Sequence, residues 1–474
     1  MAKENTAPLK GTRDFLPQDV RRREHVLSVV RDVYGRYGFE PLETPAMERL
    51  ETLLGKYGEE GDQLIFRILH RGAELGRALD RLRAQPGAAA SSREEARAAF
   101  KRDELALADS ALRYDLTVPL ARVVAEYQAQ LPRFFKRYQI QPVWRADRPA
   151  AGRFREFYQC DVDIVGSREL VCEVEVASAV CEVLDRLGFD DYRVRLNHRG
   201  LLRGMIEAAG IPLEHEVTAI TELDKLGKVS ADEVKAALVE RGVPAGSAAR
   251  LLEVALAATG GASGAEVLDG LEGALRASER GAAGVSELRR LLALASDAPC
   301  GRRLALDPSL ARGLSYYTGP IFEIQVSDLA GSLGGGGRYD ELIGMFLRQP
   351  VPAVGFSLGL ERILVVMAER GMFPDLTAAA HVMVLRLDEA TTPDALRAAS
   401  ALRGAGIRTE LYPNVDKLGK QLQYASGRAV KLAVFVGERE QAAGEVAIKV
   451  METQEQHVVP AGALVETVRR LLGP

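Results

Sequence analysis

The chain has 474 residues, too many for one ordinary hydrophobic core, so two or three domains are expected. Apolar residues make up 47% and charged residues 27%, a globular balance that excludes a disordered or collagen-like chain. The formal charge of −4 excludes a chain-wide polyanion binder and still allows a local basic groove.

The N-terminal "MAKENTAPLKGTRDFLP" has no apolar stretch of the kind a signal peptide needs, and no run of about eighteen apolar residues follows. A cytoplasmic protein without a membrane span is expected. Residues 20–37 have helical period and should end before Gly38. "FEPLETPAM" reads as a short edge strand interrupted by two prolines. Residues 68–110, rich in Ala, Arg and Glu, suggest two helices around the turn-forming "AQPGAAASS".

"RYQIQPVW" and "FYQCDVDIVG" read as strands joined by a loop, and residues 169–187 as a helix. "YRVRLNHR" is a further strand, and residues 200–300 are mostly helical. Strand "IFEIQV", a glycine loop "GSLGGGGRYDEL", strand "VGFSLG" and helix "LERILVVMAERG" come next. After a linker, alternation from His381 of "VMVLRL", "KLAVFVG" and "VAIKV" with helical segments predicts a small α/β unit with a mostly parallel core. Cys160, Cys172, Cys181 and Cys300 match no zinc spacing and are expected to be reduced and mostly buried. His198 and His381 are expected to be structural, and no histidine has a metal-ligand partner three or four residues on.

The segment "WRADRPAAGRFREFYQCDVDIVG" carries the most chemistry. If residues 153–163 form a strand, Arg153, Arg155, Phe157, Gln159, Asp161 and Asp163 share one face. A solvent-facing strand would also be polar. The order, however, runs from cations through an aromatic to acids, which suits a ligand with a phosphate end, a stackable ring and an NH-bearing end. Arg145 ends the preceding strand, so its guanidinium and that of Arg153 can converge on phosphate oxygens. Arg362 falls in the first turn of a helix, where a cation is mildly unfavourable unless an anion is bound. In "LRYDLTVPLAR", Asp115 and Thr117 lie on one side of an extended segment and can share an ammonium, although a capping role would explain them too. "GGGGRYD" permits close backbone approach but lacks the lysine of a P-loop. In "ARGLSYYTGPIFEI", a permanent cation and two phenols precede an apolar strand, as in a surface turn or in a pocket for an anion and a small ring.

Taken together, these segments resemble the histidyl-tRNA synthetase family of class II aminoacyl-tRNA synthetases, in the right order over nearly the whole chain. "KGTRDFLP" resembles its N-terminal signature, and "GFEPLETPAMERLE" its dimer-forming motif 1. "WRADRPAAGRFREF" resembles motif 2 and "VGFSLGLERI" motif 3, while "ARGLSYYTG" and "GGGGRYD" resemble the two histidine signatures. "LRYDLTVPLAR" and "FREFYQCDVDIVG" are worded as in the eukaryotic-type branch.

The resemblance implies an α+β fold, with an antiparallel catalytic sheet flanked by helices. It places the first catalytic part at 1–199, with an extra insertion at about 70–108, and a helical insertion domain over the acceptor stem at 200–302. The second catalytic part would span 303–371 and an α/β anticodon-binding domain 380–474. It implies ligation of histidine to tRNA(His) through histidyl-adenylate, with ATP as substrate, Mg²⁺ accompanying it, and a homodimer. Arg145 and Arg153 would hold the ATP phosphates, beside Asp147, with Phe157 stacking adenine opposite Arg362. Asp115, Thr117 and Gln159 would bind the α-ammonium end; Asp163 and Tyr317, with Tyr316 beside them, would bind the imidazole. Arg312 would sit on the carboxylate and α-phosphate and, with Arg145, serve catalysis. Glu361 would neighbour the metal, for which no ligand is firmly assigned.

From His381 the chain carries twelve basic against eleven acidic residues, so charge alone does not announce an RNA-binding domain. Two positions depart from the family pattern. Ser315 stands where an aspartate is usual, and the stretch between "LIFR" and "LRYDLT" is longer than usual, as a tolerated surface insertion would be. A histidine-sensing paralogue without ligase activity is the first rival, but such paralogues lack the C-terminal domain and lose the arginines kept here. Another class II synthetase is the second, against which the paired tyrosines weigh.

Overall fold

The computed structural model describes residues 6–83, 107–150, 152–226, 229–257, 264–311, 316–329, 331–374 and 379–473. The chain divides into two compact units, Met1–Phe15 with Arg23–Met372, and Leu16–Arg22 with Phe373–Pro474.

In the first unit, the described residues form an eight-stranded sheet. Its strands in chain order are β1 (Glu40–Pro41), β5 (Phe135–Trp144), β6 (Glu156–Val165), β7 (Arg193–His198), β8 (Leu304–Leu306), β9 (Pro320–Gln325), β10 (Ser332–Arg338) and β11 (Ala353–Gly359). Across the sheet they run β1-β5-β6-β11-β10-β9-β7-β8. Pairing is antiparallel through the middle and parallel only at the two ends, β1 on β5 and β7 on β8. A separate small sheet pairs β2 (Met47–Arg49) and β3 (Arg67–Leu69) with β4 (Ala108–Leu112). This is the expected antiparallel sheet flanked by helices.

Several local readings hold. The first helix spans Pro17–Arg36 and buries Val26, Val30, Val33 and Tyr34 at helical spacing. Proline opens it, where a missing N–H costs nothing, and the chain leaves it through Gly38 at φ +76°. Helix Val171–Arg186 buries Val176, Val180, Val183 and Leu184. Helices also dominate from Arg199 to Ala295, where Gly204 lies so close to Gly281 that a Cβ would approach its Cα to 2.5 Å. The four cysteines are free and buried.

Other readings change. "FEPLETPAM" divides between β1 and β2, and helix Gly72–Arg83 is followed by the segment 84–106, which lies outside the described residues. Residues 108–110 belong to β4 rather than to a helix. Strand β6 starts at Glu156, three residues later than period two suggested, so Arg153 and Arg155 lie in the turn before it. Thr117 opens helix Thr117–Glu126 instead of lying in an extended segment. The glycine run is no loop: it is β10, a central strand. A Cβ on Gly336 would come within 2.1 Å of the Gly355 carbonyl oxygen, and one on Gly337 within 2.9 Å of the Tyr317 ring. The run is therefore needed for close packing within the sheet.

The second unit has a five-stranded sheet ordered β13-β12-β14-β15-β16, comprising β12 (Val382–Val384), β13 (Thr409–Leu411), β14 (Leu432–Phe435), β15 (Glu445–Val450) and β16 (Gln456–Pro460). The first three pair in parallel and the last two antiparallel. Alternate residues feed two cores. Val382, Val384, Leu432 and Val434 pack with Ala399 and Leu402 of helix Thr392–Gly404, and Met383, Ala433 and Phe435 pack with Ala425 of helix Leu418–Gly427.

Candidate active site

The open sheet face of the first unit carries a cavity of about 660 Å³. Its lining brings together Asp115, Thr117, Arg145, Asp147, Arg153, Phe157, Gln159, Tyr316, Tyr317, Glu361 and Arg362, which lie far apart in sequence. Arg312 falls within 312–315, outside the described residues, as does Ser315. Asp163 is not on the lining. It sits in the sheet beside the cavity floor, 2% exposed.

One end of the cavity is cationic. Arg145 follows β5 directly, and its Nε donates to the Tyr114 carbonyl at 3.0 Å. Its guanidinium lies 4.2 Å from the Tyr114 ring centroid and 5.2 Å from that of Phe157. Arg153 pairs with Asp147 at 3.0 Å and remains exposed on the turn. Arg362 donates to the Ser332 carbonyl at 2.6 Å, next to Gly331. Phe157 supplies an apolar face within this wall, so a polyphosphate and a flat ring fit side by side.

The other end is acidic and phenolic. Asp115 Oδ1 accepts from the Val118 N–H at 3.1 Å and the Tyr57 hydroxyl at 2.9 Å, while Oδ2 accepts from Tyr316 at 3.3 Å. Asp115 thus caps the helix begun by Thr117 and also faces the cavity. Burial pushes its carboxyl up, against the Val118 N–H, Arg145 and the two phenols, which hold it down. Tyr316 and Tyr317 pack edge to face at 5.0 Å. Burial, reinforced by the nearby acids, keeps both phenols protonated.

Strand β6 presents Gln159, Asp161 and Asp163 on one face, as period two requires. The register on β11 sets Gly359, Ser357 and Gly355 opposite them. Gly355 is obligatory there, because a Cβ would lie 1.8 Å from Asp163 Oδ1. Gln159 Nε2 donates to Ser357 Oγ at 2.7 Å, whereas its Oε1 is buried without a hydrogen-bond partner on the cavity wall. Beneath, the fully buried Arg137 lies 2.9 Å from Asp163 and 4.0 Å from Asp161. Asp163 also accepts a short hydrogen bond from the Tyr339 hydroxyl. The Asp163–Arg137 contact is ionic rather than an aligned hydrogen bond, since Asp163 Oδ2 has no hydrogen-bond partner. Burial raises both carboxyls despite Arg137, and that of Asp161 reaches about 7.

Glu361 also lines the cavity, but both its oxygens are engaged. Oε1 is 3.1 Å from Arg23, and Oε2 accepts the Tyr158 N–H at 2.9 Å. Among the described residues no three His, Cys, Asp or Glu side chains gather as a metal site.

Sequence reasoning missed Tyr57, Ser357, Arg137 and Tyr339. Ser357 could have been found by pairing "VGFSLG" with "QCDVDIV" antiparallel. For Tyr57 and Arg137 no local signal exists, since their partners are 58 and 26 residues away, whereas Tyr339 stands in the "GGGGRYD" signature and only its partner, 176 residues away, was hidden.

Comparison with known proteins identifies the family. A family model described as histidyl-tRNA synthetase matches residues 11–81 and 85–363. The chain belongs to the histidyl-tRNA synthetase family. An anticodon-binding-domain model matches residues 381–471, within the second compact unit. A Gloeobacter violaceus protein named histidine–tRNA ligase is 42% identical over 96% of this chain and 97% of its own. One of the same name from Flavobacterium johnsoniae is 40% identical over 99% of this chain and 100% of its own. Among solved structures, a histidyl-tRNA synthetase from Nostoc sp. matches at TM-score 0.79 and 30% identity, over 99% of this chain and 100% of that one. A Bacillus halodurans protein described as an ATP phosphoribosyltransferase regulatory subunit/histidyl-tRNA synthetase matches at TM-score 0.71 and 19% identity, over 92% and 99%, and shares the synthetase fold.

Proposed function

We propose that this chain is a histidine–tRNA ligase. It activates histidine with ATP, releasing pyrophosphate, and transfers the histidyl group from the adenylate to the 3′-terminal ribose of tRNA(His). The observation that carries the reading is a single cavity with guanidiniums at one end and acids, phenols and an unpartnered amide oxygen at the other.

The cationic wall receives ATP. Arg145 and Arg153 hold the phosphates and Phe157 stacks the adenine opposite Arg362, with Asp147 fixing Arg153 through their ion pair. Mg²⁺ arrives on the nucleotide as part of the substrate. Asp115, Thr117 and the free Gln159 oxygen take the α-ammonium. Tyr317, on the lining, donates to the imidazole; Asp163, buried behind the lining, is its acceptor by family resemblance, and Tyr316 holds Asp115 in place. A neutral imidazole presents one donor and one acceptor, so a site matching both rejects apolar isosteres strongly. The carboxylate oxygen of histidine then attacks the α-phosphorus as the bond to the bridging oxygen breaks and pyrophosphate leaves. Arg145 and, by family resemblance, Arg312 neutralise the charge that develops. In the second step a ribose hydroxyl attacks the acyl carbon and AMP departs.

Residues 1–199 and 303–371 form the catalytic domain, with 200–302 over the acceptor stem and 380–474 on the anticodon. The working form is a cytoplasmic homodimer. The arginines at 145, 153 and 362, all on the cavity, favour a ligase over a histidine-sensing regulator. Histidine-dependent ATP–pyrophosphate exchange tests the reading. Exchange with histidine alone among the amino acids is expected; exchange with another amino acid, or none, would overturn it.

A further inference from the structure

We infer that the segment Lys10–Phe15 is a positioning strap for the nucleotide wall, with Arg13 as its key positioning residue; this rests on the ATP assignment above. Beyond the Trp144–Glu156 pair that ends the β5–β6 ladder, the described residues of the turn that carries Arg153 are tied across by the Arg145 N–H to the Arg155 carbonyl at 2.9 Å, by the isolated bridge between Ala150 and Arg153, and by the Arg153–Asp147 ion pair. The N-terminal segment supplies further anchorage. The Arg155 N–H donates to the Gly11 carbonyl at 2.8 Å, and Arg155 Nη1 reaches the Lys10 carbonyl at 3.3 Å. Nε of the same arginine donates to the Asp147 carbonyl at 3.0 Å, so one side chain ties both sides of the turn to the strap.

Gly11 makes the close approach possible. It has φ +91°, and a Cβ there would lie 2.8 Å from Arg155 Cγ and 2.9 Å from Pro149 Cγ. Two residues on, the Arg13 guanidinium lies 3.4 Å from the ring centroid of Phe154, a residue on the cavity lining between Arg153 and Arg155. The strap continues to the other side of the wall. Phe15 is contacted by Arg13 at 4.9 Å and Arg23 at 4.1 Å, and Arg23 pairs with Glu361, which holds the Tyr158 N–H. The strap thus joins the turn bearing Arg153 to the start of the helix bearing Arg362. These contacts all lie on the nucleotide wall, so loss of the strap should weaken ATP binding and leave histidine binding alone.

The test is ATP–pyrophosphate exchange with each substrate varied, in the full-length protein and in Arg13→Ala, Arg13→Lys and Gly11→Ala. Arg13→Ala should raise the ATP KM by about two- to fivefold, as loss of an exposed cation–π contact implies, with the histidine KM and Tm unchanged. Arg13→Lys should restore most of the loss. Gly11→Ala should act in the same direction and more strongly. An unchanged ATP KM in Arg13→Ala, an equal rise in the histidine KM, or no rescue by lysine would overturn the strap while leaving the ligase reading intact. Failure of the unsubstituted protein to exchange with histidine would overturn both.

Discussion

The acidic groups hang on strands at the centre of the sheet, whereas Arg145 and Arg153 of the cationic wall hang on the turn that joins two of them. On the floor, Asp161 and Asp163 are fixed by β6, paired through β11 and neutralised by the buried Arg137. On the wall, Arg153 is exposed, and the turn carrying it leans on Lys10 and Gly11. On the proposed reading, the groups that discriminate a small ring are held in the sheet and out of water, where a mismatched partner is most costly. On the same reading, Arg153, which meets the polyphosphate, remains solvated and acts mainly through charge.

The difference predicts unequal responses to mutation. The largest effect is expected at Arg137. Arg137→Met leaves two buried carboxyls without their counter-charge and should cost about 3–5 kcal/mol of stability by denaturant titration. A loss below about 1 kcal/mol would mean that the floor does not depend on that charge. Next comes Gly355→Ala, which drives a methyl group onto Asp163. It should cost about 1–3 kcal/mol of stability by denaturant titration, and raise the histidine KM with the ATP KM little changed.

The pH dependence of stability sharpens the contrast. Burial raises the Asp161 carboxyl from its ordinary 3.8 to about 7 in the folded chain, so between these values the folded form holds a proton that the unfolded chain releases. Stability should therefore be fully present below about pH 4 and decline toward pH 7, by up to about 1.4 kcal/mol per unit. Asp161→Asn should flatten that slope, and an unaltered slope would place the titration elsewhere. The smallest stability effect is expected on the wall. Arg153→Ala should change stability by no more than about 0.5 kcal/mol, yet raise the ATP KM about tenfold in exchange kinetics.

Much of this site was legible in the sequence, because its residues lie in short segments with a recognisable order. Gln159, Asp161 and Asp163 follow from period two once β6 is placed, and the cavity lining gathers Arg145, Arg153 and Arg362 from two separate motifs. What local pattern could not supply was pairing across long sequence distances. Period two alone could not say that β6 begins at Glu156, because the turn before it is also rich in alternating charges. The glycine run suggested a loop because flexibility is the usual reading of four glycines. Its role as a strand depends on Gly355, Tyr317 and Ser357, all outside the run. Nor does local pattern reveal that Arg23 and the Tyr158 N–H occupy the two oxygens of Glu361.

The central claim, one cavity with two separately built ends, is tested most directly by exchange kinetics in Gln159→Met beside Arg153→Ala. Gln159→Met removes the unpartnered oxygen without emptying the space, and should raise the histidine KM by about tenfold or more while sparing the ATP KM. Arg153→Ala should do the reverse. If both variants shifted both constants equally, or if each shifted the constant assigned to the other, the two-ended account would be contradicted.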